Sequence, residues 1–336
     1  MRAWMLERTG DPREVLQLVE VPEPAIRPDQ LLVEVEVAGV MFPDLLLVKG
    51  EYQITLPLPS TPGGELVGRV VAAGADTSTP VGTRVMATTF GAHGSYAQRA
   101  PVVESHSQPI PDEVAAAEAV ALPTNYVTAH LALHRRARVV PGDVVVVHGG
   151  GGGVGSAAIE LAHAAGATVI GVDIGEDRAK LCEAVGADVG VDSASEDVAD
   201  VVRDVSNHRG ADIVIDMVGG DLFEAARRFM AFEGRIVIVG YTSGTIPQLR
   251  LNQLVLRSFT VMGVNAMVSL FEHPHVHEES RRAVVELLAQ RAIVPRISAV
   301  YPFEHVPDAL VGLAEQRIPG KAVIEVAPAP VLSLSS

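Results

Sequence analysis

Four valines and a histidine, Val144–His148, run directly into Gly149-Gly150-Gly151-Gly152-Gly153-Val154-Gly155 and then into an alanine-rich apolar stretch. Gly150, Gly152 and Gly155 fall on the G-x-G-x-x-G template, in the strand-turn-helix setting that gives the template its meaning. On that template Gly150 permits the tight turn, Gly152 lets backbone amides approach a pyrophosphate, and Gly155 allows the helix to pack closely on the strand. Gly153 and Val154 open the helix, whose N-terminus favours phosphate charge. A flexible linker would not sit between a buried-type strand and an amphipathic helix, so the segment predicts a dinucleotide site in an α/β unit.

Around this turn the chain alternates short apolar strands with helices. Strands are expected at Val144–Val147, Thr168–Val172, Val189–Val191, Ile213–Ile215, Arg235–Val239 and Thr260–Val264. Helices are expected at Val154–Ala165, Asp177–Val185, Val198–Val205 and Leu222–Phe232, from apolar residues at three- and four-residue spacing. Six strands with intervening helices make a doubly wound parallel sheet of the Rossmann type. Before residue 122 the pattern is β-rich: Val33, Val35 and Val37 alternate with Glu34 and Glu36, with further strands at Glu65–Ala73, Thr83–Ala87 and Ser95–Val103. A helix near Glu278–Ala289 and strands at Ala299–Tyr301 and Ala322–Val326 are expected to rejoin that β-rich part. The domains are therefore drawn at 1–124 with 266–336, and at 125–265, with the active site expected in the cleft between them. The Ala-Pro-Ala-Pro and Ser-Leu-Ser-Ser ending reads as a frayed tail.

The next strand ends at Asp173, 18 residues beyond Gly155. That is close to the roughly 20-residue spacing at which a carboxylate hydrogen-bonds the adenosine ribose. A carboxylate there repels a 2′-phosphate and favours NAD(H), while the nearby Arg178 keeps NADP(H) open.

Charge and cysteine usage narrow the function. Twenty-six Lys and Arg against 41 Asp and Glu leave a net charge of −15, which repels nucleic acid and anionic membranes. Cys182 is the only cysteine, so no intramolecular disulfide or multi-cysteine metal cluster can form, and a reducing cytoplasm is expected. Cys182 itself is expected to pack against the sheet. No secretory signal pattern opens the chain, and no apolar run reaches the ~18–20 residues of a membrane span. His273, His275 and His277 would share one side of an extended segment and could ligate zinc or nickel, but they read better as a solvated loop leading into a helix. Neither Ser95 nor Ser156 lies in a nucleophile-elbow setting.

Several segments together resemble the medium-chain dehydrogenase/reductase superfamily and, within it, the zinc-independent, zeta-crystallin-like quinone oxidoreductase branch. They are Val21-Pro22-Glu23-Pro24, Ala38-Gly39-Val40-Met41-Phe42-Pro43-Asp44, Lys49-Gly50-Glu51-Tyr52 and Pro62-Gly63-Gly64-Glu65-Leu66-Val67-Gly68. Leu122 to Ala129, Asp216 to Phe223, Gly234 to Tyr241 and Gly320-Lys321-Ala322-Val323 continue the series around the glycine turn. The resemblance implies a six-stranded Rossmann sheet inserted into a β-rich GroES-like catalytic domain. In zinc-dependent relatives the positions of Met41 and Gly64 are a cysteine and a histidine ligand, and neither residue here binds zinc. Without that Lewis acid, hydride transfer to an electrophilic carbon of a quinone or α,β-unsaturated carbonyl is implied rather than alcohol oxidation.

The resemblance further places Met41, Phe42 and Tyr52 at the substrate pocket, with Tyr52 as hydrogen-bond donor to the substrate oxygen. It places Thr128 against the nicotinamide, and Val218, Tyr241, Val264 and Lys321 at cofactor-contacting positions. Tyr52 as a loop-filling residue and Thr128 as a plain helix-interior residue are the alternatives. The branch usually carries asparagine where Met41 stands, so the pocket is more apolar here. Two rival functions stay open: an enoyl-thioester reductase, and a nucleotide-binding scaffold or sensor without turnover. The partner is expected to be a small-molecule electrophile. The apolar segment Ser258–Val264 is expected to pair edge to edge with a second copy in a homodimer.

Overall fold

The alternation of valine-rich runs and amphipathic stretches builds two units, seen in a computed structural model that describes residues 1–315 and 320–326. One unit comprises residues 1–123 and 295–336, the other residues 124–294. The expected tail at 327–336 lies outside the described residues.

The first unit is a seven-stranded sheet with an added hairpin. Its path runs Ile297–Pro302, Lys321–Glu325, Gln30–Val40, Glu65–Ala73, Arg84–Thr88 and Ser107–Pro109, with Arg99–Val103 also paired to Gln30–Val40. Gln30–Val40 is long enough to hold three partners, and its alternation buries Leu31, Val33 and Val35 in the core with Leu66, Val85 and Ile324. The late strand Lys321–Glu325 runs antiparallel to it, Val323 facing Gly39 and Ile324 facing Ala38. This pairing joins the end of the chain to its beginning.

The second unit is a six-stranded, wholly parallel sheet in the order Val189–Asp192, Thr168–Asp173, Val144–His148, Ala211–Asp216, Met230–Ile238, Thr260–Gly263. Numbered along the chain this is 3-2-1-4-5-6, so strand order reverses between Val144–His148 and Ala211–Asp216. Ligands of such sheets bind outside the carboxyl ends of the strands at that reversal. Val146, Ile170, Val191, Val214 and Ile236 form its core with Phe223 and Phe229 from the covering helices.

Three expectations need correction. Residues 266–294, drawn with the β-rich part, belong to the second unit. The helix Pro274–Ala289 buries Val276, Val284 and Leu288. It is pinned there by a 3.1 Å contact between His130 Nδ1 and Ser280 Oγ, and Val294 N donates to Glu160 Oε2 at 2.9 Å. Secondly, the helix expected to reach Phe232 ends at Phe229, because Met230 turns extended to pair with Ala211. Thirdly, His273, His275 and His277 are not a solvated loop. Pro274 starts the helix early, and His277 is buried with its Nδ1 2.9 Å from Ser269 Oγ. Among the described residues no group of three or more His, Cys, Asp or Glu is arranged to hold a metal, and no helix is long and apolar enough to cross a membrane.

Candidate functional site

At the carboxyl end of Val144–His148 the chain turns on Gly149, whose φ of 74° lies in the left-handed region. The sequence expectation had given this bend to Gly150. Gly150 is required for a different reason: a β-carbon there would stand 2.7 Å from Cys182 Sγ and 2.9 Å from Ile159 Cδ1. The amides of Gly149 and Gly150 both donate to Val172 O, at 2.8 and 3.0 Å, and tie the turn to the neighbouring strand. A β-carbon on Gly155 would collide with Gly149 O, so the first turn of the helix Gly153–Ala164 can rest on the bend only without a side chain. A β-carbon on Gly152 would meet only Gly149 O, at 3.3 Å, which leaves its face of the turn open for a ligand. Asn125 lies against Gly153, and Val154 is half-buried. Cys182 is buried between Gly150 and Gly171, and burial pushes its thiol up to about 12, so it packs rather than reacts.

Asp173 ends the next strand and its carboxylate is fixed. Gly151 N donates to Oδ2 at 2.8 Å, Ile174 N donates to Oδ1 at 2.8 Å, and Arg178 Nη1 lies 3.4 Å from Oδ2. The pair is partly exposed, Asp173 at 13% and Arg178 at 27% of their side chains. Val218 reaches the same turn: its Cγ2 is 3.2 Å from where a Gly149 β-carbon would stand. The half-exposed ring of Tyr241 lies against Gly219, and Val264 N donates to Ile238 O at 3.0 Å. Thr128, nearly buried, sits in the short helix Val127–His130, which packs on the helix Gly153–Ala164. Within this unit the fold thus gathers the glycine turn, Asp173, Arg178, Val218 and Tyr241 at one sheet edge. These residues fit a dinucleotide: a face left open at Gly152, the N-terminus of the helix Gly153–Ala164 for the pyrophosphate and a held carboxylate for the ribose.

Lys321 belongs to the first unit. It is 4% exposed inside the first unit, ion-paired to the fully buried Glu65. Gly39 makes the pair possible, since a β-carbon there would strike Glu65 Oε2 and stand 3.0 Å from Lys321 Nζ.

Beside that pair lies the helix Phe42–Lys49. Met41 precedes it and Asp44 caps it, accepting from Met41 N on Oδ2 at 3.1 Å. Tyr96 Oη donates to the same Oδ2 at 2.9 Å, with Gly39 O at 3.3 Å. Asp44 Oδ1 is buried without a hydrogen-bond partner among the described residues. Burial raises the Asp44 carboxyl to about 7; the Tyr96 hydrogen bond opposes this, and the charge of Glu65 adds to it. Burial also pushes the Tyr96 phenol well above its ordinary value. Phe42 is 52% exposed and Tyr52 half-buried in the segment after the helix. The terminal methyl of Met41 occupies the space that a β-carbon on Gly64 would need, and Asp44 Oδ1 lies 3.3 Å from that point. A thioether whose methyl fills the cavity, opposite a residue with no side chain, is not a donor set for zinc.

Sequence reasoning missed Asp44, Tyr96, the Glu65–Lys321 pairing and the contact of His148 with Asp216. Asp44 alone carried a legible signal, its place three residues after Met41 where a carboxylate caps a helix. The others are brought together only by the tertiary fold, across tens to hundreds of residues.

Two family models match the chain: a zinc-binding dehydrogenase model over residues 153–289 and an alcohol dehydrogenase GroES-like domain model over residues 27–129. The quinone oxidoreductase-like protein 2 of Rattus norvegicus is 34% identical over 318 residues, covering 94% of this chain and 90% of that protein. A solved structure of a probable oxidoreductase from Mycobacterium abscessus has a TM-score of 0.87 at 34% identity, covering 97% of this chain and 99% of that one. A mycobacterial protein solved in complex with NADPH, Rv1454c, has a TM-score of 0.83 at 30% identity, covering 97% of this chain and all of that one.

Proposed function

Because the chain belongs to the medium-chain dehydrogenase/reductase superfamily, among its quinone oxidoreductase-like members, we propose that it is a zinc-independent NAD(P)H-dependent reductase of quinones or α,β-unsaturated carbonyls. The observation that carries this reading is the Met41 methyl seated in the space of a Gly64 side chain. Nothing at those two positions can bind a Lewis acid to lower an alcohol's pKa, which disfavours the oxidation of simple alcohols. An acceptor that is already electrophilic does not.

When bound, the dihydronicotinamide supplies the hydride. In the second unit the N-terminus of the helix Gly153–Ala164 holds the pyrophosphate, which approaches over the open face at Gly152, and Asp173 accepts from the ribose hydroxyls. The Asp173 carboxylate favours NADH, since a 2′-phosphate beside it is repelled, and Arg178 is the residue through which NADPH would be accommodated. The Thr128 hydroxyl orients the nicotinamide. In the first unit Met41 and Phe42 form an apolar wall, and Tyr52 donates a hydrogen bond to the substrate oxygen as negative charge develops there. A small-molecule substrate, a reducing cytoplasmic setting and a homodimer complete the reading. The open edge strand Thr260–Gly263 and the exposed Leu251, Val255 and Leu256 beside it support the dimer.

Initial rates of NADH and NADPH oxidation against 1,4-quinones, small enones and enoyl thioesters test the proposal. Turnover of quinones or enones supports it. Turnover of thioesters alone selects an enoyl-thioester reductase, and coenzyme binding with no turnover across the panel selects a scaffold or sensor.

A further inference from the structure

His148 and Asp216 end the two strands between which the strand order of the parallel sheet reverses, and they face each other in register. Both are 0% exposed, with His148 Nδ1 3.3 Å from Asp216 Oδ1. Asp216 is also the fixed point of the loops around it. The same Oδ1 accepts from Val218 N at 2.9 Å and Gly219 N at 3.0 Å, and its carbonyl accepts from Val239 N at 2.8 Å. The segment it holds passes the order on: Met217 O accepts from Thr242 N at 3.0 Å, and Val218 O accepts from Ser243 N at 3.1 Å and Ser243 Oγ at 2.7 Å. His148 is bonded in sequence to Gly149, whose amide anchors the glycine turn to Val172 O. Three loops that carry the glycine turn, Val218 and Tyr241 therefore hang from one buried pair.

Burial alone would raise the Asp216 carboxyl, but the hydrogen bond and charge of His148, together with the Gly219 and Val218 amides, hold it below the usual carboxylate range. The pair is nevertheless only half satisfied, because Asp216 Oδ2 and His148 Nε2 are buried without hydrogen-bond partners among the described residues. A half-satisfied buried pair costs folding stability that well-packed apolar residues would not. The pair stands where the glycine turn meets the 216–219 bend.

We propose that His148 and Asp216 are positioning residues for the dinucleotide, holding the glycine turn, the Val218–Gly219 bend and the 239–243 loop in one binding-competent arrangement. The inference rests on the coenzyme reading given above and adds to it the residues that set the site's geometry from beneath.

Direct titration of coenzyme by its dihydronicotinamide fluorescence tests this, with thermal midpoints measured alongside. Asp216→Asn and the double variant His148→Leu/Asp216→Asn are expected to raise the Kd for NADH or NADPH at least tenfold. Val214→Ala, a core change in the same strand, is expected to lower the midpoint and leave the Kd within twofold. Folded Asp216 variants that bind within twofold of wild type would overturn the proposal, as would a Val214→Ala variant that loses affinity equally for the same drop in midpoint. Wild-type protein provides a measurement independent of variant folding: the Val218, Gly219, Thr242 and Ser243 amides are expected to exchange with solvent at least tenfold more slowly with saturating coenzyme, and unchanged rates would overturn it. Wild type that binds neither coenzyme removes the underlying reading itself, which separates that failure from this one.

Discussion

The methyl group of Met41 stands in the space that a β-carbon on Gly64 would need. The two residues are therefore one packing unit, although 23 positions separate them in sequence. Gly64→Ala is expected to destabilise the protein by about 1 kcal/mol, the low end of the cost of overpacking, because Met41 is flexible enough to move aside. In a Met41→Ala background the same change is expected to be neutral. Thermal or denaturant unfolding of the four proteins in a double-mutant cycle measures the coupling, and additivity within about 0.3 kcal/mol would show no shared space.

Gly155 tolerates no substitution of this kind. Its β-carbon would strike Gly149 O, a backbone atom inside the glycine turn, which cannot move aside as a methionine methyl can. Gly155→Ala is expected to cost about 2–3 kcal/mol and to abolish measurable coenzyme binding, read by unfolding and by fluorescence titration.

The Asp173 carboxylate is the coenzyme discriminator in our reading. Asp173→Ser removes the charge facing a 2′-phosphate and leaves Arg178 without its partner. The ratio of kcat/KM for NADPH to that for NADH is expected to rise at least tenfold, about 1.4 kcal/mol of discrimination. An unchanged ratio would place the ribose elsewhere.

Asp44 makes stability depend on pH in a stated direction. Its carboxyl is raised in the folded protein from 3.8 to about 7, so between these values the native state binds a proton that the unfolded state has lost. That contribution is fully present below about 4 and fades as pH rises through about 7. Asp44→Asn carries a neutral group at every pH. Its stability relative to wild type is expected to grow between pH 4 and 7 by at least about 1 kcal/mol, one pKa unit being about 1.4 kcal/mol. Urea unfolding of both proteins across that range measures it, and parallel curves would show that Asp44 ionises normally.

The edge strand Thr260–Gly263 predicts a dimer. Light scattering at micromolar protein is expected to give twice the chain mass. Val255→Glu, which places a charge on an 80% exposed apolar position beside that edge, is expected to shift the protein towards the monomer without lowering its thermal midpoint by more than a few degrees. A wild-type monomer would rule out pairing at this edge.

Periodicity placed the second unit's six strands within about five residues, because a buried parallel strand is a short, nearly continuous apolar run between helices. The glycine turn was legible for a similar reason: each glycine answers a local steric demand written in adjacent residues. Even there the bend belongs to Gly149, and Gly150 makes room for Cys182 of a later helix, a contact between residues 32 apart. The sequence by itself thus determined the parallel α/β sheet, the glycine turn and the acidic residue after it, since these depend on neighbours in the chain. Only the tertiary structure decided which unit holds residues 266–294, that Lys321 lies against Glu65, that burial raises the Asp44 carboxyl, and that His148 meets Asp216. Those outcomes depend on burial and on sheet register between distant segments, and burial is a property of the folded whole.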